Sequence, residues 1–185
     1  MSTGTRLTLE QLDQMIEAGY FDDKPRMELI RGELREMVPI GPPHEDVVDT
    51  LNEWSIQKAP LKKVRVRIQN SVGLPELDSA PEPDVDWMKR KRYSKRRPVA
   101  SDVLLLVEVA FSSLRYDRGE KADLYAEVGI RDYWIVNIVD FCVEVRRKPK
   151  DGVYQELLVH QLDETVSPLH FPELKLPVSD LFLSE

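Results

Sequence analysis

The stretch VLLLVEVAF, residues 103–111, decides the fold. Its apolar residues run almost without a break from Val103 to Val109, which is typical of a central strand covered on both faces. Glu108 interrupts that run, and an isolated ionised carboxylate among apolar neighbours would be very costly. We therefore expect Glu108 to be paired, metal-bound or neutral, or to lie at a cleft. The alternatives without a chemical role are an exposed strand end and a pairing with a buried arginine.

Helices and further strands are predicted on both sides of this central strand. A capping box formed by Thr8 and Gln11 predicts a first helix that stops at Gly19, and Pro43 predicts a second that runs to about Ala59. A third helix is predicted over residues 117–128. Residues 27–34 predict two strands that reverse at Arg31-Gly32. The other predicted strands are 64–68, 84–88, 133–138, 141–147 and 154–159. This order predicts an α/β (mixed α+β) protein in which helices flank a central mixed sheet.

Length and composition indicate one globular domain, residues 1–185. A chain of 185 residues suits one domain with a sizeable core. The single cysteine, Cys142, excludes an internal disulfide. The sequence lacks an apolar signal core at its start and a run of about 18 apolar residues. These features predict a cytoplasmic protein with no membrane association.

Two further residues stand out as candidates for chemistry. In the helix 117–128, Lys121 shares one stripe with Leu124, Tyr125 and Val128, so a lysine lies on the face that should be buried. The alternative is a lysine whose stem is buried and whose ammonium reaches water. Asp84 follows Pro83 at the start of its strand. On its own it is better explained as an ordinary turn residue.

Asp86 is a rival to Asp84. It lies two residues further along the same strand, so the two side chains share one face of the sheet.

A concentrated basic segment follows the strand 84–88. Seven of the 26 basic residues lie in nine positions, and without them 19 basic residues face 33 acidic ones. The segment (KRKRYSKRR, residues 89–97) is a candidate nucleic-acid contact beside the candidate residues Asp84 and Glu108, through Lys89, Arg90, Lys91, Arg92, Lys95, Arg96 and Arg97. A solvated loop is the alternative, which charge runs usually form.

Several motifs together resemble a known family. EPDVDW (82–87), LVEVAFSS (106–113) and DRGEKADLYAEVGIRDYWIVN (117–137) are similar to the Uma family, whose members are described as restriction endonucleases with variants of the PD-(D/E)xK nuclease fold. MELIRGEL (27–34), His44 and LPVSDLF (176–182) also match. The resemblance covers nearly the whole chain and implies a restriction-endonuclease-like core.

The resemblance also implies a metal site. Asp84 would be the PD aspartate and Glu108 the second acidic ligand of Mg²⁺ or Mn²⁺. The usual lysine position, two residues after Glu108, holds Ala110, so Lys121 would have to supply the ammonium. Glu28 and His44 match the family pattern but have no assigned chemical step, and a structural role for Glu28 stays open.

The expected function is a metal-dependent endonuclease that hydrolyses phosphodiester bonds in DNA. Many nucleases of this fold are homodimers, because cutting two strands needs two active sites. The alternative is a catalytically inactive module with the same fold that binds nucleic acid or a protein partner. Ala110 favours that alternative, whereas the pair Asp84 and Glu108 disfavours it.

Overall fold

A six-stranded mixed sheet forms the centre of the molecule in the computed structural model, which describes residues 6–182; the ends of the predicted domain 1–185 lie outside the described residues. The strand order is β3-β4-β5-β6-β7-β8. Within it β5 and β6 run parallel, and the other neighbours are antiparallel. The strands are β3 (Val64–Ile68), β4 (Val85–Lys89), β5 (Val103–Ala110), β6 (Asp132–Asn137), β7 (Cys142–Lys150) and β8 (Val153–His160). The predicted mixed sheet with flanking helices is confirmed.

Two of the helices begin where the sequence predicts. Helix α1 (Leu9–Glu17) starts at the capping box, in which Thr8 and Gln11 each bond the other's backbone N–H. Helix α2 (Pro42–Lys58) starts with two prolines, whose missing N–H groups cost nothing in a first helical turn.

The third helical segment differs from the prediction. It begins at α3 (Leu114–Tyr116), passes through a π-helical turn (Asp117–Lys121) and continues as α4 (Ala122–Glu127). It therefore starts three residues earlier than predicted. The wider turn changes the rotation per residue within the segment, which a simple 3.6-residue stripe does not take into account.

Apolar cores cover both faces of the sheet. On one face, α2 places Val48, Leu51 and Trp54 against alternate residues of β4 and β5, among them Trp87. On the other face, Leu124 and Tyr125 of α4 pack in the second cluster, with residues of β5 and β6. Because side chains alternate along a strand, Glu108 points to the α4 face, between two residues that point to the α2 face.

Short hairpins complete the described part of the chain. Strands β1 (Met27–Ile30) and β2 (Glu33–Glu36) pair around Arg31 and Gly32, both with positive φ, as the predicted reversal requires. Strands β9 (Thr165–Val166) and β10 (Leu176–Pro177) form a second small sheet.

Strand β8 lies at one edge of the main sheet and exposes Val153, Leu157, Leu158 and Val159. Among residues 6–182, no helix combines the length and the apolar character needed to cross a membrane.

Candidate active site

The Asp84 carboxylate is fastened to the strand that carries Glu108. Asp84 immediately precedes β4, and its Oδ2 accepts a hydrogen bond of 2.8 Å from the backbone N–H of Val109. Gln69 donates from Nε2 to Oδ1 over 3.4 Å, and His44 Nε2 lies 3.2 Å from Oδ2. The β4–β5 pairing thus brings the carboxylate beside the residue that follows Glu108.

Glu108 receives two donors at one oxygen. Its Oε1 accepts from Lys121 Nζ at 2.9 Å and from the Tyr125 hydroxyl at 2.7 Å. Its side chain is buried, as the apolar sequence around it predicts. Both donors meet the same oxygen, and among the described residues Oε2 accepts no hydrogen bond.

Lys121 lies in the π-helical turn and is 6% exposed. Its ammonium contacts Glu108 and also lies 3.7 Å from Glu28 Oε2. It sits 5.6 Å from the centre of the Tyr116 ring, within the range of a cation–π contact. Lys121 is therefore buried with its charged end among carboxylates, which sets aside the solvent-reaching alternative.

The two accessory residues, Glu28 and His44, join the same cluster. Glu28, on β1, accepts hydrogen bonds from the Tyr116 hydroxyl at 3.1 Å and from the backbone N–H of Glu82 at 3.5 Å. His44 lies in the first turn of α2. Its Nδ1 is buried without a hydrogen-bond partner among the described residues.

The charges of this cluster shift one another's pKa values. Burial raises the pKa of Glu108 well above its usual range, Lys121 opposes that rise, and Asp117 and Asp84 add to it. Burial raises the pKa of Asp117 to about 6, again against Lys121. Burial by itself would lower the pKa of Lys121, but the charges of Glu108, Glu28 and Asp117 raise it above its ordinary value. The ammonium is thus charged at neutral pH, and the acids compete for it.

A cavity of about 440 Å³ opens onto these groups. Its lining includes Glu28, Asp84, Glu108, Asp117 and Lys121, all of them buried. Three less buried residues, Arg35, Glu36 and Glu82, also line it, so among the described residues six acids face one lysine and one arginine. This excess of negative charge fits a site that binds a further cation, which would supply the missing positive charge.

Asp86, the rival of Asp84, does not line this cavity. It is fully buried, and neither of its oxygens has a hydrogen-bond donor among the described residues. Its neighbour is Arg67, whose Nη1 lies 3.7 Å from Oδ2. Burial raises the pKa of Asp86 to about 8, although Arg67 opposes the shift. The structure thus separates the two aspartates into different environments.

The basic segment starts away from the carboxylates, although Arg97 near its end donates a hydrogen bond to Ser71, two residues after Gln69. It begins at Lys89, the end of β4 opposite Asp84, and five strand residues span about 17 Å. Lys91 and Arg96 pair with buried Asp102, and Arg97 pairs with Asp13. The expectation of a cationic loop next to the active site is therefore wrong for the start of the segment. Its remaining basic residues, Lys89, Arg90, Arg92 and Lys95, are exposed.

Three residues of the cluster were not identified from sequence. Tyr116 bonds Glu28, Tyr125 bonds Glu108, and Gln69 bonds Asp84. Tyr125 shares the stripe of Lys121, so a signal for its proximity to Glu108 was present in the sequence. Gln69 belongs to a loop after β3, and local sequence patterns carry no signal for such a long-range contact.

Comparison with known proteins places this geometry in a family. The crystal structure of a "putative nuclease belonging to DUF820" from Anabaena variabilis has a TM-score of 0.68 to this chain. The match covers 95% of this chain and 97% of that chain at 19% identity, a level at which the likeness concerns the fold. No curated protein matches the chain. A family model, Uma2, described as "Putative restriction endonuclease", matches residues 9–179. Since that match spans almost the whole sequence, the chain belongs to the Uma2 family and has its nuclease fold.

Proposed function

We propose that this protein is a metal-dependent endonuclease that hydrolyses phosphodiester bonds in DNA, in the cytoplasm. One observation carries the proposal: Lys121 Nζ lies 2.9 Å from Glu108 inside a buried cluster of carboxylates that also includes Asp84. Metal-assisted hydrolysis of a phosphodiester needs two acids and an ammonium, and Asp84, Glu108 and Lys121 are such groups. Family membership supports the reaction class.

Asp84 and Glu108 are the residues that would hold Mg²⁺ or Mn²⁺. Among residues 6–182, no group of three or more His, Cys, Asp or Glu side chains has metal-site spacing. A two-carboxylate site suits Mg²⁺, which keeps several waters and is commonly bound by one or two carboxylates. When bound, the cation would lower the pKa of a water and offset charge on the phosphate. The hydrogen bonds of Glu108 at Oε1 leave Oε2 as its free ligand atom.

Lys121 is proposed to orient the attacking water and to stabilise the developing negative charge. Its ammonium is already positioned by Glu108 and Glu28, so little reorganisation would be needed during the reaction. On this view the helical segment provides the positive charge that Ala110 cannot provide from β5. His44, 3.2 Å from Asp84, is proposed to position that carboxylate.

A second candidate function is a nuclease-fold module that binds nucleic acid or a protein without cutting it. Ala110 favours this candidate, because the usual lysine position is apolar and fully buried. The ion pair between Lys121 and Glu108 favours it as well if the lysine ammonium takes the place of the divalent cation instead of acting beside it. The two candidates differ in whether a divalent cation binds.

A cleavage assay tests the proposal directly. Purified protein is incubated with linear and circular DNA, and with RNA, in Mg²⁺, Mn²⁺ or EDTA. We expect metal-dependent DNA cleavage that Asp84→Asn and Glu108→Gln each abolish. Asp49→Asn and Glu173→Gln, which neutralise exposed acids on other surfaces, should retain it. Cleavage that persists in both site variants would overturn the proposed site.

We also propose a homodimer as the cutting form, since a duplex has two strands to cut. Light scattering coupled to gel filtration should give about twice the 21.4 kDa mass of one chain. A monomer at the concentration that cleaves both strands would contradict this.

A further inference from the structure

A second, larger groove lies along the free edge of β3. Its volume is about 910 Å³, and it runs from Arg65 and Arg67 of β3 to Asn70 and Ser71. The basic segment forms its other wall. Arg65 and Arg67 alternate with Val66 and Ile68, which pack toward α2 and also line the groove. The groove therefore follows the edge of β3, and its β3 arginines point to the face of the sheet that carries Glu108.

The lining of this groove is strongly positive. It contains five arginines and no acidic residue: Arg65, Arg67, Arg90, Arg92 and Arg97. Among residues 6–182, the ion pairs of this region involve Arg67, Lys91, Arg96 and Arg97. Arg65, Arg90 and Arg92 therefore have no acidic partner there. An open row of unpaired guanidinium groups suits a ligand that carries several negative charges.

One end of the groove approaches the candidate active site. Gln69, which donates to Asp84, immediately precedes Asn70 and Ser71 of the lining. Arg65 is the register partner of Met88, four residues along β4 from Asp84, or about 14 Å. Arg90 lies about 20 Å along the same line. The positive row thus leads away from the carboxylate cluster instead of surrounding it.

We propose that this groove binds the phosphate backbone of the nucleic-acid substrate, about four to six base steps from the bond that is cut. An antiparallel strand rises about 3.4 Å per residue, and stacked nucleotides rise about 3.4 Å per step. For a nucleic acid that lies parallel to β4, one residue of the strand therefore corresponds to one base step. The inference rests on the proposed function, because it is that function which places the scissile phosphate at Asp84 and Glu108.

The shape of the groove favours a nucleic acid over other anions. Its positive side chains are spread over several phosphate spacings, whereas a single phosphate group would need them to converge. Arginine also matches phosphate oxygens with two parallel hydrogen bonds. Tyr93 lines the groove, but its hydroxyl is bonded to the Lys89 carbonyl and its ring faces the Lys91 ammonium, so we assign it no base contact.

The binding test compares two matched charge-removing variants. Arg65→Gln/Arg92→Gln removes two groove arginines and leaves Arg67, which contacts Asp86, in place. Lys58→Gln/Lys175→Gln removes two exposed charges on α2 and the C-terminal segment, which pack on the opposite face of the sheet. Anisotropy of a labelled DNA duplex of about 20 base pairs is measured in EDTA between about 50 and 200 mM salt.

We expect the groove variant to make the slope of log affinity against log salt shallower by roughly 1.8, at 0.9 per lost phosphate contact. The Lys58/Lys175 control should keep the wild-type slope. A groove variant with the wild-type slope would overturn the inference, and so would an equal change in both variants. Tighter binding to acidic lipid vesicles than to DNA would also overturn the assignment to nucleic acid. Circular dichroism checks that each variant is folded.

A kinetic comparison separates this inference from the proposed function. For substrates that end within about four base steps of the cut, the wild-type KM should rise while kcat changes little. In Arg65→Gln/Arg92→Gln, KM should no longer depend on how far the substrate extends beyond the cut. If the wild type cuts no DNA while the groove variant still has the shallower salt slope, the proposed function is overturned and the groove is not. Cleavage with an unchanged slope in the groove variant would overturn the groove alone.

Discussion

The hydrogen bonds of Glu108 make Lys121 the residue whose role can be tested most directly. Lys121→Ala should leave metal binding nearly intact and reduce kcat by about 10²–10³-fold, the usual cost of losing one donor to the transition state. Lys121→Arg keeps the buried positive charge but should restore little activity, because a planar guanidinium does not replace a compact ammonium. Single-turnover cleavage rates measure both effects.

The arginine variant also serves as the control for folding. Removing the one ammonium from a set of buried acids can itself destabilise the fold. Lys121→Arg avoids that loss of charge. Full cleavage activity in Lys121→Ala would show that the ammonium takes no part in the reaction.

Asp86 gives a prediction about stability and pH. Its pKa is raised by burial to about 8, so the folded state holds a proton that the unfolded chain loses near pH 4. The contribution of Asp86 to stability should therefore fall as the pH rises from about 4 to 8, at up to about 1.36 kcal/mol per pH unit. Asp86→Asn cannot ionise, so it should be more stable than wild type by a few kcal/mol at pH 8, with a gap that narrows toward pH 4. Urea unfolding at several pH values measures this gap. A gap that is constant with pH would contradict the prediction.

At the scale of residues, the sequence indicated which side chains matter better than it indicated which other side chains they contact. Glu108 and Lys121 were singled out because a charge on a buried strand or stripe needs an explanation. Tyr116 and Gln69 were not, because a tyrosine or glutamine in a loop or at a helix start is unremarkable until the fold brings it to a carboxylate. The strand pattern alone did not separate Asp84 from Asp86, since both side chains lie on one face of the sheet, and only the family resemblance favoured Asp84.

At the scale of elements, the helical segment that carries Lys121 departs most from its prediction. The π-helical turn contains Gly119, which has ordinary φ and open space where a Cβ would lie. Gly119→Ala should therefore raise stability by roughly 0.4–1 kcal/mol, because alanine loses less backbone entropy than glycine. Thermal unfolding measures the gain, and kcat should not change.

At Gly32, the same substitution by alanine should have the opposite effect on stability. Its φ is +79°, and a Cβ there would lie 2.8 Å from the Cβ of Arg6. Gly32→Ala should lower stability by at least about 1–2 kcal/mol. Equal effects at the two glycines would show that local backbone geometry does not determine the outcome.

Elements with a strong local signal were predicted well. The apolar run of β5, the capping box of α1 and the proline start of α2 each depend on neighbouring residues, and all three are confirmed. The π-helical turn depends on how the segment packs over Glu108, which no local pattern records. The predicted strand 84–88 already places Asp84 and Lys89 at its opposite ends, so the distance of the segment's start from Asp84 could be predicted from the sequence. The ion pairs of Lys91, Arg96 and Arg97 could not, because only the fold brings Asp102 and Asp13 to them.

At the scale of the whole molecule, the proposed metal site predicts a stability that depends on divalent cations. A ligand that binds the folded state alone at 100 times its Kd adds about 2.7 kcal/mol, or roughly 5–10 °C in Tm for a chain of this size. Millimolar Mg²⁺ or Mn²⁺ should produce such a shift in the wild type. Asp84→Asn and Glu108→Gln should lose it, whereas Asp49→Asn should keep it. The same shift in all four proteins would exclude these two carboxylates as ligands.

The exposed edge of β8 has a practical consequence for handling the protein. Within residues 6–182 its outer backbone groups have no strand partner, and with the apolar side chains they form a surface onto which another chain can add as a further strand. The net charge of −7 at neutral pH repels other copies, and this repulsion vanishes near the isoelectric point of about 5.1. Purification or crystallisation near pH 5 should therefore favour precipitation through this edge, and a lysine in place of Leu157 should widen the usable pH range.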